Sequence, residues 1–306
     1  EFGLTAASPG DKTLQVTIRS DQGLKEFEAT YPVVERGKAV AVIGDYLQRG
    51  DTDVILGNAE MEVQALRDLG GRILSMIYRP TQADMLYQNY PNTPKFTGGD
   101  TTWVEYGGLN DWFPEGWPGY VWNNVWEAEV VSAGGDQASV KMSTRTKNGL
   151  YLERTMVLPG TGNRLRVDYV VKNVTDVPRR YTWFNHPDLA PGAERFAGEQ
   201  HRIVVPIADP DRKGRVKNMV SKFIGKIGKD SYRPAEGWAL AHHEKTGDYF
   251  LQLFDVDLIE QIGVWQDANF FTVELLGKPR DINPGERHTF TVYYVIGNQD
   301  WKGEIQ

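Results

Sequence analysis

The chain has 306 residues, of which 40% are hydrophobic and 25% are charged, and it contains no cysteine. This composition is that of a globular protein, and the lack of cysteine excludes disulfides, thiolate nucleophiles and cysteine-ligated zinc. The formal net charge of -7 disfavours nucleic acid and anionic membrane surfaces as partners, and the sequence has no apolar stretch of about 18 residues that would predict a membrane span.

The N-terminal part contains two segments with strand character, residues 14–18 and 39–43. No Ser-, Gly- or Pro-rich linker separates them from the rest of the chain, so we predict one domain over residues 1–306. Within it, residues 1–50 add N-terminal strands to the same sheet system, and 53–297 form the core. The sequence begins at Glu1 rather than Met. This start is consistent with a cloning boundary, or with a soluble periplasmic or secreted protein that has lost an N-terminal segment.

Short segments of alternating polar and apolar residues recur along the chain, as half-buried strands require. Residues 60–65, 138–143 and 165–171 alternate in this way, and 288–296 is rich in β-branched and aromatic residues. Turns rich in Gly, Pro, Asn and Asp separate these segments. The pattern predicts an all-β sandwich or barrel.

Residues 101–127 contain five of the nine tryptophans, interleaved with acids and amides. The glycines and prolines of the central part, residues 106–119, predict a loop. Indole rings cover the apolar faces of sugars, and carboxylates and amides bond the hydroxyls, so this segment is a candidate carbohydrate site. The alternative is that the aromatic residues are core residues that fix a long loop. The candidate sugar contacts are Trp103, Tyr106, Asn110, Asp111, Trp112, Glu115 and Trp117.

Two residues are candidates for chemistry, His186 and Glu274. Opening a hemiacetal ring needs a base for the anomeric hydroxyl proton and an acid for the ring oxygen, and Glu and His can supply them. Glu274 shares a strand face with Phe270 and Thr272, where a carboxylate is either desolvated or hydrogen-bonded. The alternatives are a solvent-facing glutamate and a loop histidine with a structural hydrogen bond.

One segment departs from the strand pattern. Over residues 214–228, apolar side chains fall at helical spacing and basic side chains occupy the other face. We predict a short amphipathic helix that covers one end of the sandwich with its lysines in water. A membrane surface or a partner is the alternative. The apolar positions are Val216, Met219, Val220, Phe223, Ile224 and Ile227.

Three segments in order resemble the aldose 1-epimerase (galactose mutarotase) family: 53–77, 170–189 and 270–286. The resemblance implies a galactose-mutarotase-like β-sandwich, also called a supersandwich. The family's Asn-His pair matches Asn185-His186. The resemblance implies that His186 is the general acid and Glu274 the general base, and it makes Asn185 a candidate substrate contact. It also implies a carbohydrate, mono- or oligosaccharide, as the partner.

The sequence departs from the family in one respect. The family carries an earlier histidine followed by glycine, and no histidine precedes His186 here. Arg79, Arg180 and Lys278 are candidate replacements as substrate contacts. No cofactor is implied, and no cluster of metal ligands stands out, since His242 and His243 would point to opposite sides of a strand.

Three functions therefore remain open at the level of sequence. The first is an epimerase-like enzyme, and the second is a carbohydrate-binding domain without turnover. The third is a glycoside hydrolase or polysaccharide lyase module, in which Asp111 and Glu115 would be the carboxylates. The fold alone cannot choose among them.

Overall fold

The structure is a computed structural model. It describes residues 10–20, 23–45, 52–89, 95–98, 101–104, 106–114, 121–192 and 196–305.

The described part of the chain is built almost entirely of strands. The strands of its first half are β1 (Gly10–Ser20), β2 (Gly23–Val33), β3 (Ala39–Gly44), β4 (Asp53–Gly57), β5 (Met61–Leu66), β6 (Arg72–Tyr78), β7 (Ala83–Asp84), β8 (Lys95–Gly98), β9 (Thr101–Val104), β10 (Leu109–Trp112), β11 (Glu127–Ser132), β12 (Gly134–Gly135), β13 (Gln137–Arg145) and β14 (Leu150–Pro159).

The second half continues in the same way, with three short 3-10 helices in the described chain at Val121–Asn123, Val256–Leu258 and Trp301–Ile305. No described helix is both long enough and apolar enough to cross a membrane. The remaining strands are β15 (Arg164–Asn173), β16 (Arg179–Tyr181), β17 (Phe184–Leu189), β18 (His201–Ala208), β19 (Val216–Lys222), β20 (Gly228–Tyr232), β21 (Trp238–His243), β22 (Asp248–Phe254), β23 (Ile259–Gln266), β24 (Phe271–Thr272), β25 (Glu274–Gly277), β26 (Arg280–Ile282) and β27 (Arg287–Asn298).

Two large sheets pack face to face. The first sheet has twelve strands. Ten of them follow in the order β12-β3-β4-β5-β6-β10-β17-β24-β23-β20, while β25 pairs with β17 and β23, and β7 pairs with β6. The second sheet has nine strands in the order β11-β13-β14-β15-β27-β22-β21-β18-β19. The pairs within both sheets are antiparallel, and one apolar core joins side chains from the two sheets, such as Leu56 and Val63 with Val140 and Val167. This is the predicted all-β sandwich. Burying both inner faces supplies the main stabilisation of such an architecture.

The N-terminal strands divide between two places. β3 pairs with β4 and so joins the twelve-stranded sheet, as predicted. β1, which contains the predicted segment 14–18, instead pairs with β2 in a separate two-stranded sheet. The expectation that both segments belong to one sheet system is therefore wrong for 14–18.

The predicted helix at 214–228 is wrong. Residues Val216–Lys222 form β19, which pairs along its length with β18 at the edge of the nine-stranded sheet. The segment then turns and enters β20 at the edge of the other sheet. Pairing satisfies the backbone groups that β18 would otherwise expose, and this tertiary requirement outweighs the helical spacing of the apolar residues.

Candidate functional site

The centre of the twelve-stranded sheet carries polar side chains on both of its faces. β10 pairs with β17 in the register Asn110↔His186 and Asp111↔Asn185. Successive residues of a strand point to opposite faces, so Asn110 and His186 share one face while Asp111 and Asn185 share the other. The face with His186 lies away from the sandwich core, and the face with Asp111 packs against it. The predicted loop at 106–119 thus contains a central strand, Leu109–Trp112.

On the outer face, His186 lies between two carboxylates. Its Nε2 is 3.3 Å from Oε1 of Glu274, and its Nδ1 is 3.4 Å from Oδ1 of Asp188. All three side chains are largely or fully buried, with Asp188 at 0% and Glu274 at 16% exposure. Glu274 also accepts a 2.9 Å hydrogen bond from the hydroxyl of Thr272. The structure therefore brings the two residues predicted for chemistry into contact.

A tryptophan covers one face of the imidazole. The ring of Trp112 stacks on His186 with centroids 4.4 Å apart and an angle of 12° between the planes. Behind it lies Trp122, with ring centroids 6.2 Å apart. The backbone of Trp122 approaches Gly70 so closely that a Cβ at this glycine would lie 1.9 Å from the Trp122 carbonyl oxygen. The positive φ of Gly70, +75°, therefore belongs to a turn that only glycine fits.

Core side chains hold the backbone on each side of Glu274. Asn185 Oδ1 accepts a 2.6 Å hydrogen bond from the amide of Leu275, and the Gln252 side chain donates a 2.6 Å bond to the carbonyl of Val273. Asn185 also donates to Gln252 and to the hydroxyl of Tyr294. Asn185 is fully buried, so it does not contact a ligand in the cleft. The prediction from the sequence that Asn185 contacts the substrate is therefore wrong. Asn185 positions the strand that carries Glu274.

Asp111 lies in the core rather than in the cleft. Its carboxylate pairs with Nη1 of Arg154 at 2.7 Å and accepts bonds from the Tyr169 hydroxyl and the Trp183 indole. Burial, and then the charge of Asp111, raise the pKa of Tyr169 well above its ordinary value, so this hydroxyl stays protonated and donates. Arg154 and Asp111 are both fully buried. The expectation that Asp111 contacts a sugar is therefore wrong.

The outer face forms a cleft of about 410 Å³ around His186 and Glu274. Its floor comes from β10, β17 and β25, and its far wall from β23 and the edge strand β20. Trp265 is half-buried there and offers a second indole. The lining residues are Trp112, Phe184, His186, Lys229, Asp230, Ser231, Gln261, Gly263, Val264, Trp265, Glu274 and Leu276.

Gly263 leaves room for the Glu274 carboxylate, because the two residues are paired across β23 and β25. A Cβ at Gly263 would lie 2.9 Å from Glu274 Oε2 and 3.0 Å from Leu276 Cδ1. Both are ends of flexible side chains, so we expect Gly263→Ala to fold with a nearly unchanged unfolding midpoint while it displaces the carboxylate.

Any turnover in the cleft should then fall roughly tenfold or more, since small misplacements of catalytic groups are costly. Anomer-exchange rates and thermal unfolding of the same preparations would test this. Gly303→Ala is the control, because its Cβ would meet only Asp300 at 3.7 Å. Unchanged turnover in Gly263→Ala would show that the placement of Glu274 does not matter.

Arg72 belongs to the same face and was not predicted. The pairing Leu109↔Ile73 puts Arg72 beside Asn110, so Arg72, Asn110 and His186 follow one another across three strands. Arg72 is buried, donates from Nη1 to the carbonyl of Gly107 at 2.5 Å and lies 5.3 Å from the ring centroid of Tyr106. The buried Asn110 Oδ1 accepts no hydrogen bond from the described residues. The sequence feature that could have identified Arg72 is its position directly after Gly71, at the start of a strand.

The remaining predicted contacts lie elsewhere or outside the described residues. Arg180 is 66% exposed and pairs with Asp281 on the β16–β26 ribbon. Arg79 pairs with Glu62, Lys278 donates to the carbonyl of Asp257, and neither residue lines the cleft. Trp103 is placed in β9, opposite Phe96, by its backbone alone. Glu115 and Trp117 lie outside the described residues.

Comparison with known proteins finds similarity in structure but not in sequence. No protein-family model matches the chain, and no curated protein sequence matches it. Among solved structures, a TPR-domain containing protein from Parabacteroides distasonis aligns at TM-score 0.64 and 12% identity over 96% of this chain. This chain spans only 55% of that protein's length.

Two further structures align over nearly their whole length. A galactose mutarotase-like protein from Clostridium acetobutylicum has a TM-score of 0.61 and 11% identity, over 85% of this chain and 99% of its own. A galactose mutarotase related enzyme from Lactobacillus acidophilus has a TM-score of 0.59 and 13% identity, over 81% of this chain and 98% of its own. The chain therefore has the galactose-mutarotase-like fold that its sequence motifs predicted.

Proposed function

We propose that the protein is an aldose 1-epimerase-type enzyme, which opens and recloses the ring of an aldose in the cleft. The observation that carries this proposal is the 3.3 Å contact between His186 Nε2 and Glu274 Oε1 on the cleft floor. The fold of the mutarotase-like structures described above agrees with it. A fold hosts many functions, however, so the proposal depends on the geometry of the site.

The reaction requires two proton transfers at neighbouring oxygens. Glu274 takes the proton of the anomeric hydroxyl, the bond from the anomeric carbon to the ring oxygen breaks, and His186 donates its Nε2 proton to the ring oxygen. Rotation of the open aldehyde then presents its other face, and the steps reverse. Both oxygens are bonded to one carbon, so an acid and a base that contact each other can reach both.

Other side chains support the pair. Asp188 Oδ1 lies 3.4 Å from His186 Nδ1 and places a negative charge beside the edge of the imidazole that faces away from Glu274. Trp112 packs against the imidazole and, with Trp265, offers apolar surface to the C–H face of a sugar ring.

The hydrolase alternative is weakened by the same geometry. Glycosidases separate their two carboxyl groups by roughly 5 to 9.5 Å, on either side of the bond that they cleave. Of the pair Asp111 and Glu115, Asp111 is fully buried in an ion pair with Arg154. A carboxylate held in this way is not available to act on a glycosidic bond.

A second candidate function is carbohydrate binding without turnover. One observation favours it. No histidine precedes His186, so the chain lacks the earlier histidine with which members of the family contact their substrate. In this case the cleft would bind a sugar, and the contact between His186 and Glu274 would only hold the floor together.

NMR exchange spectroscopy on a panel of free aldoses distinguishes the two functions. We expect the protein to accelerate exchange between the α and β anomers of at least one aldose above its rate in buffer. A sugar that binds, as seen by chemical-shift changes, while its anomer exchange stays at the buffer rate would establish the binding function instead. Exchange at the buffer rate for every sugar would remove the epimerase.

A further inference from the structure

One segment of this acidic protein is strongly basic. Residues 212–229 contain seven cationic side chains and no carboxylate, in a chain whose net charge is -7. All seven are exposed. They are Arg212, Lys213, Arg215, Lys217, Lys222, Lys226 and Lys229.

These cations have no carboxylate partners in the described part of the chain. Other surface lysines do, for example Lys38 with Asp136 at 2.8 Å and Lys141 with Glu129 at 2.6 Å. A run of like charges without counter-charges raises the local positive potential and attracts anions. The segment is therefore a local concentration of positive charge, with the nearest carboxylates in sequence just beyond its ends, at Asp211 and Asp230.

The basic segment reaches the cleft at its C-terminal end. β20 is the edge strand of the twelve-stranded sheet, and Lys229 pairs there with Trp265. Residues paired across two strands share a face, so the ammonium group and the indole both face the cleft. The preceding loop is fixed to the same wall, because the amide of Ile224 donates to the Gln266 side chain at 2.9 Å. Lys226 lies on this loop.

We infer that the saccharide bound in the cleft is acidic and that its anionic groups lie against Lys226 and Lys229. The inference rests on the proposed function for the location of the site, but it concerns the ligand's charge and not turnover. Glu274 and Asp188 make the cleft floor negative, so a carboxylate or sulfate is disfavoured beside His186. On β20 the favoured position is beside Lys229, on the strand face that it shares with Trp265 and not with Asp230. The free reducing end of the sugar would then lie over the floor.

Binding measurements with a matched pair of probes test the inference. The probes are a trigalacturonate and its fully methyl-esterified form, which has the same sugar rings without the charges. A sulfated neutral trisaccharide forms the third arm and separates carboxylate from sulfate as the source of the charge. We expect at least one acidic probe to bind more tightly than the ester, and its affinity to fall as salt is raised.

The variant Lys226→Ala/Lys229→Ala should weaken binding of the preferred acidic probe about tenfold, since each exposed ion pair contributes roughly a factor of three. Binding of the ester should change less than about twofold on the same reasoning, because no ion pair is lost. Lys245→Ala is the control, an exposed lysine in the turn between β21 and β22. It should leave both affinities unchanged.

The inference is overturned if the ester binds as tightly as both acidic probes, if no probe binds, or if the double variant loses no affinity. It is also overturned if duplex DNA competes as well as the preferred saccharide, since the segment would then be a general polyanion site. Repeating the titrations with Glu274→Gln separates the two proposals. A retained preference for acid in this variant supports the inference even if the wild-type protein catalyses no anomer exchange.

Discussion

Replacing Glu274 with glutamine should lower the rate of anomer exchange by about 10²- to 10⁴-fold, the range attributed to a positioned general base. The amide has nearly the same size and still accepts the hydrogen bond from Thr272, but it cannot take a proton. The cleft keeps its shape, so sugar affinity should change little. NMR exchange spectroscopy gives the rate, and isothermal titration gives the affinity.

The matched control is Glu260→Gln. Glu260 lies on β23, the neighbouring strand, is exposed and does not line the cleft. This variant makes the same chemical change without touching His186. An anomer-exchange rate in Glu274→Gln within tenfold of the wild type would show that another group is the base, and equal losses in both variants would point to a general effect of charge.

The sequence patterns were informative where one strand face is apolar. Segments 60–65 and 138–143 alternate, and both are strands that bury one face in the common core. The joint position of His186 and Glu274 followed from the order of the family-like motifs. Residues 186 and 274 are far apart in the sequence, and the sheet topology brings them into contact. The number of residues between them could not have predicted this contact.

Strand alternation explains why two predicted sugar contacts, Asn185 and Asp111, do not face the cleft. Asn185 precedes His186, and Asp111 lies between Asn110 and Trp112, so neither can face the cleft with its neighbours. Both are polar and fully buried, which is uncommon without partners. Their partners come from strands of the other sheet, such as Arg154 on β14 and Gln252 on β22. No local pattern identifies such partners.

The prediction of a helix at 214–228 is wrong because edge strands, such as Val216–Lys222, have only a weak strand pattern in their sequence. An edge strand needs few buried residues, and here Val216 and Val220 stay 44% and 57% exposed. The spacing of the six apolar residues is that of a helix, but four of them, Val216, Val220, Ile224 and Ile227, are exposed. The basic residues of 212–229 are evident in the sequence itself. Their meaning depended on the position of β20 beside the cleft, which only the tertiary structure supplies.

The largest effect on stability is expected at Asp111. Replacing it with leucine removes the acceptor of the Arg154 guanidinium, the Tyr169 hydroxyl and the Trp183 indole. An arginine left charged and unpaired in the core costs about 3–5 kcal/mol of unfolding free energy. Urea denaturation, with the midpoint and slope fitted together, measures the loss.

Two further variants show whether the loss arises from the buried charge. Asp281→Asn removes the carboxylate of an exposed pair with Arg180 and should change the unfolding free energy by less than about 1 kcal/mol. Asp111→Leu/Arg154→Met removes both charges together and should recover a substantial part of the single-variant loss, since an apolar pair of similar volume often replaces a buried ion pair without penalty. If the double variant is less stable than Asp111→Leu alone, the guanidinium stabilises the core by other contacts. These include the 3.6 Å hydrogen bond from Arg154 Nη2 to the Met142 sulfur and the position of the guanidinium 5.0 Å from the centroid of the Trp126 ring.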